Sequence, residues 1–207
     1  MVFHKILVVL SCFFIPTILF GQIVHLENAS FEGEHRDAVV PLNWLACEEG
    51  TTPDILPGPW GVYLEPSDGE SYVGLITREN FSWESIAQRL KTPLESGECY
   101  QFTLDLAHSD TYSGYNNPIK LRIWGCKNKC EKDQLIYETD FIKHTDWETY
   151  TVKFTSEVKI KYLMLEAFYR ERPYSYKGNI LIDDMSPIKP CKRVMSVEPS
   201  GIPTQGW

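Results

Sequence analysis

Gly69-Glu70-Ser71-Tyr72-Val73 frames a serine much as the nucleophile of an α/β-hydrolase is framed, where glycines on both sides permit a sharp strand-to-helix elbow. Val73 stands where the second glycine is needed, and the segment reads as strand, so acyl transfer through Ser71 fits poorly. His108-Ser109-Asp110 puts the three residue types of a catalytic triad side by side. Triads are assembled in space from separated positions, so this adjacency identifies no nucleophile. Glu48, Glu49, Glu84 and Glu166 supply carboxylates for glycoside hydrolysis, a chemistry that depends on their separation and not on their number. Cys126 and Cys130, flanking Lys-Asn-Lys, suit either a small disulfide loop at a hairpin end or half of a zinc site. No second spaced pair completes the zinc set.

Binding chemistry has better support. Aromatic residues make up 13% of the chain, and many stand in polar, glycine-containing segments where a flat ring can face a ligand. Sugars stack their apolar faces on such rings while a few polar groups fix their hydroxyls. Arg122 and Trp124 fall on the outward side of a strand whose inward side is Ile119, Leu121 and Ile123, which makes a ring-and-guanidinium platform. The competing role is structural, with Trp124 covering a neighbouring strand or Arg122 pairing with Glu166. Trp60 and Tyr63 form a second candidate, and His108, Tyr112 and Tyr115 a third. Tyr169, Arg170, Tyr174 and Tyr176 form another aromatic and basic loop. Trp44 and Trp147 are assigned to the core.

The elements that carry these residues are strands. Tyr100, Phe102, Leu104 and Leu106 alternate with Gln101, Thr103 and Asp105. The same period of two recurs at 119–124 and 149–154, which is the mark of half-buried strands. Segments 159–169 and 179–185 are richer in apolar residues, as in strands nearer the middle of a sheet. Helical spacing is hinted at only over 83–90. Residues 48–67 carry four prolines and three glycines and read as a long loop, yet Trp60, Val62, Tyr63 and Leu64 argue for its being ordered. Many strands, turn residues between them and almost no helix indicate an all-β sandwich or jelly roll in one domain over 22–191. A Pro/Gly-rich flexible tail is expected at 192–207.

Lys5 followed by an apolar run over 6–20, with Gly21 after it, reads as a secretory signal peptide of about 21 residues. Its proline and its length fit a spanning helix poorly. Removal of Cys12 with the leader leaves Cys47, Cys99, Cys126, Cys130 and Cys191, an odd set suited to an oxidising compartment. The formal charge of −8 and the scattered Lys and Arg disfavour nucleic acid and anionic membranes as partners. The chain is therefore expected to be secreted, periplasmic or at the cell surface.

With the strands placed, the sequence resembles carbohydrate-binding modules of the galactose-binding-like jelly-roll type. The carrying residues are ENASFE at 27–32, Pro41-Leu42-Asn43-Trp44, Gly69-x-Ser71-Tyr72-Val73, Ile86-Ala87-Gln88-Arg89-Leu90, Leu94-x-x-Gly97-x-x-Tyr100-x-Phe102 and Ile180-Leu181-Ile182-Asp183-Asp184. The chain also looks like exported modules of bacterial surface proteins. The resemblance implies a non-catalytic glycan-binding module, with a surface protein-interaction or structural module on the same fold as the alternative. It further implies a structural calcium beside the first and last strands, held by Glu32 and either Asp183 or Asp184, with further oxygens that a sequence does not show. Within these motifs Phe31 is expected to enter the core while Glu32 points the other way, and Gly97 to turn the chain into the next strand.

Overall fold

The computed structural model describes residues 22–170 and 176–191. The expected leader at 1–21, the tail at 192–207 and Tyr174 lie outside them. Twelve strands run in order: β1 (Leu45–Ala46), β2 (Asp54–Leu56), β3 (Tyr72–Thr77), β4 (Ser85–Leu94), β5 (Cys99–Ala107), β6 (Asn117–Pro118), β7 (Lys120–Cys126), β8 (Gln134–Glu138), β9 (Glu148–Thr155), β10 (Ile160–Phe168), β11 (Gly178–Asp183) and β12 (Lys189–Pro190).

They form two sheets. One is five-stranded and antiparallel, in the order β1-β4-β10-β7-β8. The other has seven strands along the path β12-β5-β11-β3-β2, with β9 on β5 and β6 beside β11. Among the described residues, only the short β6–β11 pairing joins two strands in parallel. The chain is thus an all-β sandwich of the jelly-roll kind.

Period two explains which residues meet between the sheets. Tyr100, Phe102, Leu104 and Leu106 point inward from β5 and meet Leu121 and Ile123 of β7 and Leu163 and Leu165 of β10 in one cluster. Burying a leucine or isoleucine of this kind contributes about 1.5–3 kcal/mol relative to leaving it exposed. Phe31 and Trp44 close one end of the cluster with ring centroids 4.9 Å apart. The segment before them is not the strand expected. Val24 makes one bridge to Ile188, and residues 27–30 form a turn in which the Asn28 side chain accepts from the Glu32 N–H at 2.7 Å.

The hint of helix over 83–90 is corrected by β4. Ser85, Ile86, Ala87 and Gln88 are all buried, so both faces of this strand are covered and the alternation disappears. The same holds for the whole of β3 and β11. In the seven-stranded sheet the face turned away from the main core is covered by a second apolar cluster. Leu56, Tyr72, Ile76, Ala107 and Leu181 meet Val62 and Tyr112, which come from loops 57–66 and 108–116.

Two disulfides cross the structure, Cys47–Cys130 and Cys99–Cys191. The small loop considered for Cys126 and Cys130 does not form. Cys126 ends β7 facing outward among Ala87 and Met164, while Cys130 turns with positive φ and reaches Cys47, just past the end of β1. Cys126 is the free cysteine among the described residues, and burial pushes its thiol up to about 12. Bridges across 83 and 92 residues each restrict the unfolded chain enough to contribute about 4–5 kcal/mol in a chain-entropy account.

Gly97 has φ 83° at the turn into β5, as its position implies. Gly69 is the more constrained glycine, with φ 68° and the Glu32 carboxylate 1.9 Å from where a Cβ would stand. That carboxylate accepts from the Glu70 N–H at 3.1 Å, tying the N-terminal segment to the entry of β3. Gly69→Ala is expected to lower stability by about 2–4 kcal/mol, the combined effect of left-handed backbone strain and loss of the Glu32 contact. A urea midpoint equal to wild type would contradict this. In protein beginning at residue 22, a thiol titration of the unreduced chain is expected to find one thiol after unfolding and none before. Three thiols would overturn the pairing.

Candidate functional site

Among the described residues Trp60, Tyr63 and Phe81 have the most open rings, 45%, 74% and 52% exposed, and the first two share one loop. That loop is ordered by bonds at several points. Gly58 donates to the Val62 carbonyl at 2.7 Å, Ser113 N–H to the Trp60 carbonyl at 3.0 Å, and the Thr111 hydroxyl to the Gly61 carbonyl at 2.7 Å. The Tyr72 hydroxyl and the Trp147 indole donate to the carbonyls of Leu64 and Glu65. Val62, buried in the second cluster, anchors the loop from beneath. Trp60 itself has φ 56°, a conformation that costs a bulky residue energy and persists only where the surroundings impose it. The result is an indole held out from the surface beside a shallow depression of about 390 Å3, lined by His35, Arg36, Asp37, Pro59 and Trp60.

Asp54, on β2, links the parts of this site. Its carboxylate accepts from the Ala38 N–H at 2.8 Å and from the Tyr112 hydroxyl, and the Trp60 indole also favours its charge. One buried acid therefore joins the 34–38 segment, the Trp60 loop and the 108–116 loop. Burial raises its pKa above the ordinary carboxylate range, opposed by the Tyr112, Ala38 and Trp60 hydrogen bonds, while nearby Asp37 raises it slightly.

The other sequence candidates divide sharply. Tyr112 is 1% exposed and His108 3%, so neither offers a surface to a ligand. Tyr112 is the roof of the second cluster, and His108 is fixed by the Asn116 carbonyl at 3.2 Å. Tyr115 is half-buried and meets Trp60 edge to face, with centroids 6.4 Å apart. His35, Arg36, Asp37 and Asp54 were not singled out in the sequence. The one available signal was the acid Asp54 within an apolar Ile-Leu strand.

Arg122 and Trp124 do lie on the outward face of the five-stranded sheet, opposite Glu166 and Met164 of β10. There they are bound within the protein. The Trp124 indole donates to Glu166 at 2.6 Å, the Trp83 indole to the same carboxylate at 2.8 Å, and Lys132 approaches it at 2.5 Å. Glu166 is 1% exposed, so these three donors replace water around its charge. Arg122 bonds Glu138 at 2.7 Å, and its guanidinium rests 3.3 Å from the Phe168 ring. Trp147 packs half-buried in the second cluster against Tyr72, while Trp44 is in the main core.

The catalytic candidates are similarly occupied. Ser71 is fully buried and donates to the Phe31 carbonyl. Glu84 accepts from the Thr52 and Ile76 amides and from Arg78.

At the expected calcium position Glu32 and Asp183 accept backbone amides, while Asp184 lies beside Asp105 and Asp68; its burial and their charges raise its pKa. Glu32 holds the Glu70 amide, and Asp183 accepts from the amides of Ser67, Asp68 and Asp184 at 2.7–3.0 Å. Among the described residues, no three His, Cys, Asp or Glu side chains converge in a way that could hold a metal.

No protein-family model matches the sequence, and no curated protein matches it. Solved structures do match in fold. The Stig cyclase Fisc from Fischerella sp. TAU superposes with a TM-score of 0.54 at 12% identity, covering 82% of this chain and 98% of that one. The K3 adhesin domain of Lys-gingipain from Porphyromonas gingivalis w83 gives 0.51 at 15%, covering 79% and 98%. The CBM22-1 xylan-binding domain of Paenibacillus barcinonensis Xyn10C gives 0.48 at 14%, covering 78% and 91%. At such identities the likeness is one of fold. The chain is a β-sandwich domain with a fold like that of the gingipain adhesin domain. Its disulfides are those of an extracytoplasmic protein. Among the described residues no helix is long and apolar enough to cross a membrane.

Asp54→Ala is expected to leave the Ala38 amide and Tyr112 hydroxyl without partners, at a cost of about 2–4 kcal/mol. It should also loosen the Trp60 loop, read as faster amide exchange at Val62 and Ser113. Unchanged exchange there would refute the joining role. Asp183 supplies a pH test. Burial lifts its pKa from 3.8 to about 6, against the pull of its three amide bonds. A raised carboxylate binds its proton more readily in the folded chain, so its contribution to stability is present below about pH 4 and lost as pH rises through 6. Its carboxyl carbon resonance is expected to titrate near 6, with or without calcium. A midpoint near 4 that appears only with calcium would show that the site holds the ion after all.

Proposed function

We propose that this chain is an exported, non-catalytic module that binds a glycan at the Trp60 loop, acting at the cell surface or in the periplasm. The observation that carries the reading is the strained, firmly braced backbone that holds an exposed tryptophan beside a shallow depression that His35, Arg36 and Asp37 help to line. Presenting the half-exposed Trp60 ring rigidly removes the ordering cost that a stacking ligand would otherwise meet. Arg36, Asp37 and His35 supply donors and acceptors for hydroxyls around the ring. The resemblance of the sequence to carbohydrate-binding modules supports the same reading. So does the burial of Ser71, Glu84, Glu166 and His108, which removes each of them from any substrate. The leader-like first residues and the disulfides support export.

A glycan array followed by calorimetry on the best ligand tests this. Trp60→Ala is expected to weaken binding at least tenfold, about 1.4 kcal/mol, measured well below the thermal midpoint of the variant so that all of the protein is folded. Trp124→Ala should destabilise the fold by exposing Glu166 and leave the affinity of the folded protein within twofold. The reverse pattern would move the site to the five-stranded sheet. Silence on every glycan would favour a protein partner for these loops.

A further inference from the structure

We infer that the ligand is a neutral oligosaccharide chain that crosses Trp60, with one sugar meeting Arg36 and Asp37 and another meeting Lys177 and Glu79. This deepens the glycan reading and rests on it. Two separate polar groups adjoin the Trp60 indole. The first is the shallow depression, where Arg36 and Asp37 are both exposed beside the ring. The second is reached through Tyr115, which does not line that depression. Tyr115 meets Trp60 at 6.4 Å with the ring planes 82° apart, so the two rings make a corner and not a flat wall. Lys177 places its ammonium 5.8 Å from the centre of the Tyr115 ring. Glu79 pairs with Lys177 at 3.0 Å, and 39% of the lysine side chain and 64% of the glutamate side chain are exposed. Each step from Trp60 to Glu79 is therefore a direct contact between half-buried or exposed residues.

Both groups stand on fixed backbone, which lowers the ordering cost of binding. Arg36 exchanges two hydrogen bonds with Ile55 of β2, at 3.0 and 2.9 Å. The Tyr115 carbonyl accepts from the Asn179 side chain at 2.8 Å, and the Lys177 carbonyl from the Asn117 side chain at 2.7 Å. Length follows from the geometry. A sugar stacked on the indole has the Tyr115 ring between itself and the ammonium, so the sugar linked to it is the one that Lys177 and Glu79 serve. The linkage makes that second contact intramolecular, and affinity then grows with chain length. Charge follows as well. Arg36 and Asp37 bring one cation and one carboxylate, and so do Lys177 and Glu79. Each pair offers donors and acceptors to hydroxyls, with no surplus of positive charge to draw an anion to a chain of net charge −8. An exposed pair such as Lys177 and Glu79 contributes little to stability, so turning it toward hydroxyls costs little.

Calorimetry well below the thermal midpoint tests this. The probes are xylo-, cello- and laminari-oligosaccharides of two to six sugars, those of any further polymer that the array picks out, and polygalacturonate. In the series that binds, affinity is expected to rise at least tenfold from two sugars to six. Arg36→Gln and Lys177→Gln should each lower affinity for the hexasaccharide at least threefold. Each should leave the disaccharide within twofold, because a disaccharide deprived of one polar group uses the other. The double variant should weaken the disaccharide too. Affinity that is flat from two sugars to six, yet lost in Trp60→Ala, would overturn the inference and leave the Trp60 site standing. So would a rise with length that neither variant reduces, or tighter binding of polygalacturonate than of the neutral chains. Absence of binding to every oligosaccharide and across the glycan array would overturn the glycan reading itself, and this inference with it.

Discussion

The constraint on which the rest depends is that the seven-stranded sheet is apolar on both faces. One face meets the five-stranded sheet in the main core; the other would meet water if loops 57–66 and 108–116 did not lie across it. Leu56, Tyr72, Ile76 and Leu181 therefore demand a cover, and Val62 and Tyr112 provide it. Burial on this scale turns long connections, which are ordinarily the mobile part of a sandwich, into a packed layer. What stands on top of that layer is held as firmly as a strand residue. Trp60 is the chief beneficiary.

Acids complete what the apolar cover begins. Asp54, Glu84, Glu166 and Asp183 are all buried, and each accepts hydrogen bonds that join segments far apart in sequence. A buried carboxylate is costly unless donors replace its water, and here amides, indoles, hydroxyls and cations do so. The same bonds withdraw these acids from catalysis, which requires a group able to reach a substrate. The sandwich thus uses its carboxylates as ties and leaves the open chemistry to rings and a few surface charges.

The strands were legible where one face was wet. Cys99–Ala107 alternates cleanly because Gln101 and Thr103 face outward, and the strand has those bounds. β4 was not legible, because burial of Ser85 to Gln88 on both sides leaves Ile86, Ala87 and Leu90 at a spacing that also suits a helix. The cysteine pairing was hidden for another reason: Cys130 lies near Cys126 in sequence but next to Cys47 in space, a relation made by sheet order alone. The site was half legible. Composition marks Trp60, Tyr63, Tyr112 and His108 alike as polar-loop residues, and only three-dimensional packing separates the ring that covers a sheet from the ring that stands clear of it. Trp124 was placed correctly on an outward face, but the carboxylate beneath it, Glu166, could not be assigned to it from spacing.

The most direct test of the account follows the tryptophan indole N–H signals by NMR while an oligosaccharide that binds is titrated in. The Trp60 signal is expected to shift progressively with ligand, while those of Trp83 and Trp124, bonded to Glu166, stay in place. Large shifts at Trp83 and Trp124 with Trp60 unmoved would contradict it, and would put the ligand on the five-stranded sheet.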